Sequence, residues 1–289
     1  MGSRGGWFLS SAGAQLAGAA IGFGTNIVYA RSLGADGIGA IALMSSIALT
    51  AAVCLDRGLG TWVTRSVSSG TISVTMGLGV LIRAGVPGLV AAVGLLICMT
   101  IISSATGMIS NALAESACMT VVLLGSFFLY QTSLSLSQGA NAPHFRAMAI
   151  FSNSLLTAVF TVCLWFFGRG SVMSYLLTSA VAYAAVGLCL CAILVRISRS
   201  RAGPIGGPSY QAACLEARPL FFSNILVYLG GAGDVMLLSL LVPTSALGLY
   251  QVAKKVAQAA LLPWSSAVPV FMGRLGGRSR ALRLKMAKN

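Results

Sequence analysis

Carboxylates and histidine are scarce in this sequence. Its 289 residues include five acids (Asp36, Asp56, Glu115, Glu216 and Asp234) and one histidine, His144. General acid–base catalysis and most metal sites draw on those side chains, so the chain offers little material for either. The seven cysteines lie mostly within apolar runs and form no Cys-x-x-Cys pair. In such places cysteine behaves as a small hydrophobe; neither disulfides, a metal nor another cofactor is expected. Charge of any sign is also rare. Only 8% of residues are charged, against about 25% in a soluble domain.

What fills the chain instead is apolar. The composition is 57% hydrophobic and the mean hydropathy is +0.89. The apolar runs are continuous, as bilayer helices of roughly 20 residues require. A membrane β-barrel would alternate in segments of about 10 residues. The sequence therefore predicts an all-α membrane protein with about eight transmembrane helices, at 8–30, 37–55, 74–102, 116–138, 145–168, 172–195, 218–241 and 246–271. Met1 to Trp7 leads into the first span, which is too long for a cleaved signal peptide. The breaks are Gly34–Gly37, Asp56–Gly70, Gln138–His144, Gly168–Gly170, Arg196–Arg218 and Pro243–Ser245, with a kink expected at Pro87 and His144 read as solvated.

The net charge of +14 is read as topology, with no nucleic-acid partner. Basic residues collect in cytoplasmic segments of membrane proteins. With the N-terminus inside, fourteen of them fall on that side: Arg4, Arg57, Arg65, Arg146, Arg196, Arg199, Arg201, Arg218 and six in the tail from Arg274 to Lys288. The opposite side holds only Arg31 and Arg169. Both termini are thus expected in the cytoplasm. The linker 197–217 separates a first six-helix lobe, 1–196, from 218–289, which holds two helices and a basic tail. A weak repeat accords with this division. At an offset of 209, Gly39 aligns with Gly248, each a turn opening a helix, and Gln15 with Asn224. The aligned segments run in one direction, as in parallel repeats.

Two stretches carry a family resemblance. Tyr29 to Gly70 contains Ala-Arg-x-Leu-Gly, Asp-Gly-x-Gly and Leu-Asp-Arg-Gly-Leu-Gly; Gly233 to Phe271 contains Gly-Asp-Val-Met-Leu, Leu-Gly-Leu-Tyr and Val-Pro-Val-Phe. They resemble the first and second, and the seventh and eighth, helices of bacterial polysaccharide flippases, the Wzx-type (O-antigen and exopolysaccharide) branch of the multidrug/oligosaccharidyl-lipid/polysaccharide exporter superfamily. The resemblance implies two six-helix bundles that alternately open a central cavity. This chain would supply the first lobe and the opening helices of a second, as a C-terminally truncated relative. It also implies the bacterial inner membrane and a polyprenyl-pyrophosphate-linked oligosaccharide as substrate, moved for surface polysaccharide or lipopolysaccharide biosynthesis. Membrane lipid, a polysaccharide polymerase and chain-length proteins would be its partners.

Such a substrate calls for cations toward phosphate and for amides and hydroxyls toward sugar. Charged residues at membrane depth face an interior or water, which singles out Arg83, Lys254 and Lys255. Lys254 and Lys255 lie about 13 Å along their helix from Ala246. Gln251 and Gln258 stand at helical spacing from both lysines. These four line a cavity, or else the lysines snorkel or pair with Asp234. Arg31 and Arg57 join the substrate-binding candidates because they stand in the family-like motifs. Asp234 is either a coupling residue or a structural partner of a lysine. Ser11, Gln15, Gly18, Gly22, Asn26 and Tyr29 form a stripe that lines a cavity or packs helices, and Gln131, Ser135 and Gln138 form another with the same two readings. The competing functions are a non-transporting truncated membrane protein or assembly partner, and a membrane glycosyltransferase. Few loop acids and short outer loops count against the glycosyltransferase, and no enzymatic role is expected.

Overall fold

A computed structural model describes residues 3–106, 111–140, 142–168, 170–199 and 209–258. The described residues form helices and short turns, without a strand. The elements are α1 (Ser3–Asp56), α2 (Leu59–Ser69), α3 (Val74–Thr106), α4 (Asn111–Gly139), α5 (Pro143–Phe166), α6 (Val172–Arg199), α7 (Tyr210–Tyr228), a π-helical turn (Leu229–Gly233) and α8 (Asp234–Leu238). A last helix, α9, occupies 244–258. Among the described residues, six helices are long and apolar enough to cross a membrane. Phe166, Phe167, Leu226, Val227, Leu240 and Leu241 stand exposed on the outside of the bundle. That surface suits hydrocarbon, and the chain is a multi-pass membrane protein.

Several boundaries differ from the sequence expectation. The first two spans are one helical segment, α1, bent at Gly34 rather than parted by a loop. Gly34 has φ 69° and ψ −173°, a region essentially reserved for glycine. One residue thus turns the chain without a loop, giving α1 two arms. The expected break Asp56–Gly70 holds α2, an amphipathic helix too short to span. Its buried residues Leu59, Trp62 and Val63 join the main core, with Leu81 of α3, Tyr130 and Leu136 of α4, and Ala213 and Ala217 of α7. α7 begins at Tyr210 rather than Arg218, and the expected span 218–241 is interrupted by the π turn. The low-propensity run Leu229-Gly230-Gly231-Ala232-Gly233 accounts for the change of winding. Pro87 lies inside α3, which continues through it. His144 sits in the first turn of α5, its ring centroid 4.1 Å from that of Phe145. Of the expected span 246–271, the part beyond 258 lies outside the described residues.

The Leu-Asp-Arg-Gly-Leu-Gly motif is a turn between helices. Arg57 and Gly58 both take positive φ, 52° and 77°. The Asp56 carboxylate then accepts the Gly60 amide at 2.8 Å, holding the start of α2. α7 packs directly on this turn. A Cβ at Gly58 would lie 2.5 Å from the Phe221 amide nitrogen and 2.7 Å from the Ala217 carbonyl. The Trp62 indole donates to Glu216 at 2.8 Å across the same junction.

At the opposite end of the bundle, the second arm of α1 meets α9. A Cβ on Gly39 would lie 2.0 Å from the Thr244 carbonyl oxygen, and one on Gly248 would lie 2.0 Å from that of Ala35. Thr244 precedes Gly248 by four residues, as Ala35 precedes Gly39. The two glycines aligned by the sequence repeat therefore face each other in a near-twofold arrangement. The Thr244 hydroxyl donates to Asp36 at 2.9 Å beside them.

Gly34 and Gly58 separate backbone cost from packing cost. Nothing lies within 4 Å of a Cβ at Gly34, so Gly34→Ala is expected to cost about 1–3 kcal/mol from backbone strain alone. Gly58→Ala should cost more, because α7 must also move. Thermal unfolding of the two purified variants in detergent checks this; equal losses would refute the packing contribution.

Candidate functional site

Polar side chains inside an apolar bundle are costly unless they are satisfied or face water. Here they gather around two cavities. The larger, about 420 Å³, is a cleft between α1, α4, α5 and α6 on one side and the segment from the π turn to α9 on the other. From α1 come Asn26, Tyr29, Ser45 and Ser46, from α5 Asn153, Ser154 and Thr157, and from α6 Ser179 and Tyr183. The facing wall is Gln251, Lys254, Lys255 and Gln258 of α9, with Gly231 and Val235. The smaller cavity, about 220 Å³, lies toward the end that carries the α1–α2 turn. Asp56, Gln131, Ser135, Gln138, Arg146, Asn224 and Tyr228 are among its lining residues. Phe127 of α4 borders both cavities, and its ring meets Tyr183 edge-on at 5.3 Å.

Four of the seven substrate-binding candidates are thus brought together: Gln251, Lys254, Lys255 and Gln258. Arg31, Arg57 and Arg83 line neither cavity. Arg31 and Arg57 are exposed, the latter within the tight turn. Arg83 is also exposed and places its guanidinium 5.1 Å from the centroid of the Tyr210 ring, a cation–π contact at the start of α7.

The two neighbouring lysines have different surroundings. Lys254 donates to both oxygens of Asp234, at 2.6 and 2.8 Å, and to the carbonyl of Gly231 in the π turn. Its side chain is only 15% exposed. Asp234 also accepts the Tyr250 hydroxyl and the Val235 amide. Lys254 and Asp234 are therefore engaged with each other and with the backbone. Lys255, one residue on, forms no hydrogen bond or ion pair among the described residues and lines the cleft.

In the stripe of the first span, Gly22, Asn26 and Tyr29 line the cleft. Gly18 instead packs on α5, where a Cβ would lie 3.4 Å from Phe151 Cα. Gln131, Ser135 and Gln138 line the smaller cavity. Sequence reasoning passed over Asn153, Ser154 and Thr157, although their spacing on one apolar helix was the available signal. It counted Arg146 with the cytoplasmic segments, at the start of the span 145–168; Arg146 belongs to α5 and lines the smaller cavity.

Comparisons with known proteins bear on this arrangement. Residues 5–272 match the family described as "Polysaccharide biosynthesis protein" (Polysacc_synt). No curated protein matches the sequence. A solved chain described only as "protein A" has a similar fold, with a TM-score of 0.63 and 13% identity, over 96% of this chain and 66% of its own. A MOP superfamily transporter from Pyrococcus furiosus aligns at 17% identity and a TM-score of 0.49, over 89% of this chain and 64% of its own. The chain thus spans just under two thirds of the length of either solved chain.

The Asp234–Lys254 pair is expected to behave as one unit. Asp234→Asn or Lys254→Met alone leaves a charge with no counterion, at a cost of about 2 kcal/mol. The double variant should lose less than the sum of the two. A double-mutant cycle on thermal unfolding in detergent measures this, and strict additivity would show that the pair is not coupled.

Proposed function

Because the chain belongs to the polysaccharide biosynthesis protein family, the flippase-type branch of the MOP superfamily, we propose that it binds and helps translocate polyprenyl-pyrophosphate-linked oligosaccharide for surface polysaccharide biosynthesis. The observation that carries this reading is the cleft of about 420 Å³, a polar interior within an apolar bundle. Its volume suits a small-molecule ligand, for which pockets run to roughly 300–1,000 Å³. Its lining of amides, hydroxyls and the Lys255 ammonium, which has no partner among the described residues, matches a glycan, while the outer surface suits the polyprenyl tail.

In the same reading the protein works in the bacterial inner membrane with both termini in the cytoplasm. Residues 1–196 form one lobe, 197–217 a cytoplasmic linker, and 218–289 belong to a second lobe. The cleft then lies where one lobe moves against the other. The transfer breaks no covalent bond, so the scarcity of catalytic side chains is no obstacle. A polysaccharide polymerase and chain-length proteins would use the moved units.

The test is binding by the purified chain in detergent of a polyprenyl-pyrophosphate-linked oligosaccharide, against the same lipid without sugar. The glycan-bearing lipid is expected to bind more tightly. Gln251→Ala should weaken it about tenfold, while Arg31→Gln changes it less than about twofold. Equal affinity for the two lipids, or indifference to Gln251→Ala, would overturn the assignment of the glycan to this cleft.

A further inference from the structure

Three features of the cleft specify its occupant more narrowly than a glycan in general. The first is the division of labour between the lysines. The Lys254 ammonium is held by Asp234 and Gly231, whereas Lys255 has no counterion within 4.0 Å among the described residues. The second is a pair of orphaned acceptors. Asn153 Oδ1 and Gln251 Oε1 are buried, line this cleft and have no hydrogen-bond partner among the described residues. The third is depth. Lys255 stands about 16 Å along α9 from its start, toward the middle of a hydrocarbon core about 30 Å thick.

Each feature excludes some ligands. Buried acceptors without donors lower stability until a donor arrives. A pyrophosphate diester has acceptors but no donors at neutral pH, so it supplies nothing to the Asn153 and Gln251 oxygens. Its multiple negative charge also exceeds what one free ammonium balances in a medium of low dielectric constant. A neutral sugar supplies hydroxyl donors to both amides but leaves Lys255 without a countercharge. A sugar bearing one carboxylate supplies both, with a charge-assisted hydrogen bond to Lys255.

We propose that the cleft is a binding site for an acidic sugar residue of the glycan, with Lys255 taking the carboxylate and Asn153 and Gln251 accepting from ring hydroxyls. This rests on the glycan reading above and goes beyond it by naming the sugar class. It also places the pyrophosphate elsewhere, toward the bilayer surface.

The experiment titrates the purified full chain with three soluble probes: a glucuronic-acid-containing disaccharide, its glucose-containing neutral counterpart, and farnesyl diphosphate. The acidic disaccharide is expected to bind about tenfold more tightly than the neutral one. Lys255→Met should abolish that preference, and Lys255→Arg should keep most of it. Asn153→Val should weaken both disaccharides by a similar factor, because it removes a hydroxyl acceptor. Lys255→Met removes an uncompensated charge and so is expected to fold, with thermal unfolding as the check. Should it not accumulate, Lys255→Gln makes the same comparison. Equal binding of the two disaccharides overturns the proposal. So does farnesyl diphosphate binding more tightly than either sugar and losing affinity in Lys255→Met. So does failure of both disaccharides to bind in a chain that still binds the lipid-linked oligosaccharide; in these three cases the glycan reading stands. Failure to prefer the glycan-bearing lipid over the sugar-free lipid is the separate result that removes that reading itself.

Discussion

The contact between Lys254 and Asp234 organises the second half of this structure. An ammonium group within the span of a bilayer helix needs a partner, and this one has a carboxylate at 2.6 Å. The bond ties α9 to the short helix after the π turn. It also sets the rotation of α9 about its axis. Successive residues on a helix differ by about 100°, so fixing Lys254 against Asp234 fixes Lys255 as well. Gln251 and Gln258, at helical spacing from both lysines, then line the same cleft. The π turn contributes by presenting the Gly231 carbonyl as a third acceptor for Lys254.

The two cavities divide the polar content of the bundle. The larger takes hydroxyls and amides from α1, α5 and α6, and two further amides and its cations from α9. The smaller gathers Gln131 and Gln138 of α4 with Arg146 of α5 and Asn224 of α7. Phe127 stands between them, packed on Tyr183, which itself lies 5.1 Å from Tyr130. An aromatic cluster thus places apolar surface at the boundary between the two cavities.

Hydropathy made the long helices legible, because bilayer thickness fixes the length of each apolar run. Breaks near Gly34 and Gly58 were legible from their glycines, which take positive φ there, whereas Asp36 to Gly39, read as a turn, is helical. What hydropathy could not show was winding and orientation. α2 is short and amphipathic, so a search for long runs passed over it. The π turn changes which residues face inward after Gly231, and no periodicity announces that. Lys254 and Lys255 stand next to each other in one polar stripe, and only the position of Asp234 on another helix tells them apart. Arg83 lies at a depth that suggested a ligand, yet its long side chain reaches across to the Tyr210 ring. Its destination was a tertiary fact.

The meeting of Gly39 and Gly248 has a mechanical meaning. Beside this backbone contact the side chains interlock as well: Leu247 of α9 is fully buried with Ala42 of α1 and Val235, and Leu43 and Tyr250 pack against them. The described polar bond beside them, from Thr244 to Asp36, is exposed, and water can replace it. The junction of α2 with α7 is built in a similar way, with Trp62 bonded to Glu216 and the Gly58 turn seated against Ala217 and Phe221. Both ends of the bundle thus close by backbone seated on backbone beside a side-chain clasp, so bulk added at Gly39 or Gly248 would prise α9 from α1, as bulk at Gly58 would prise α7 from α2.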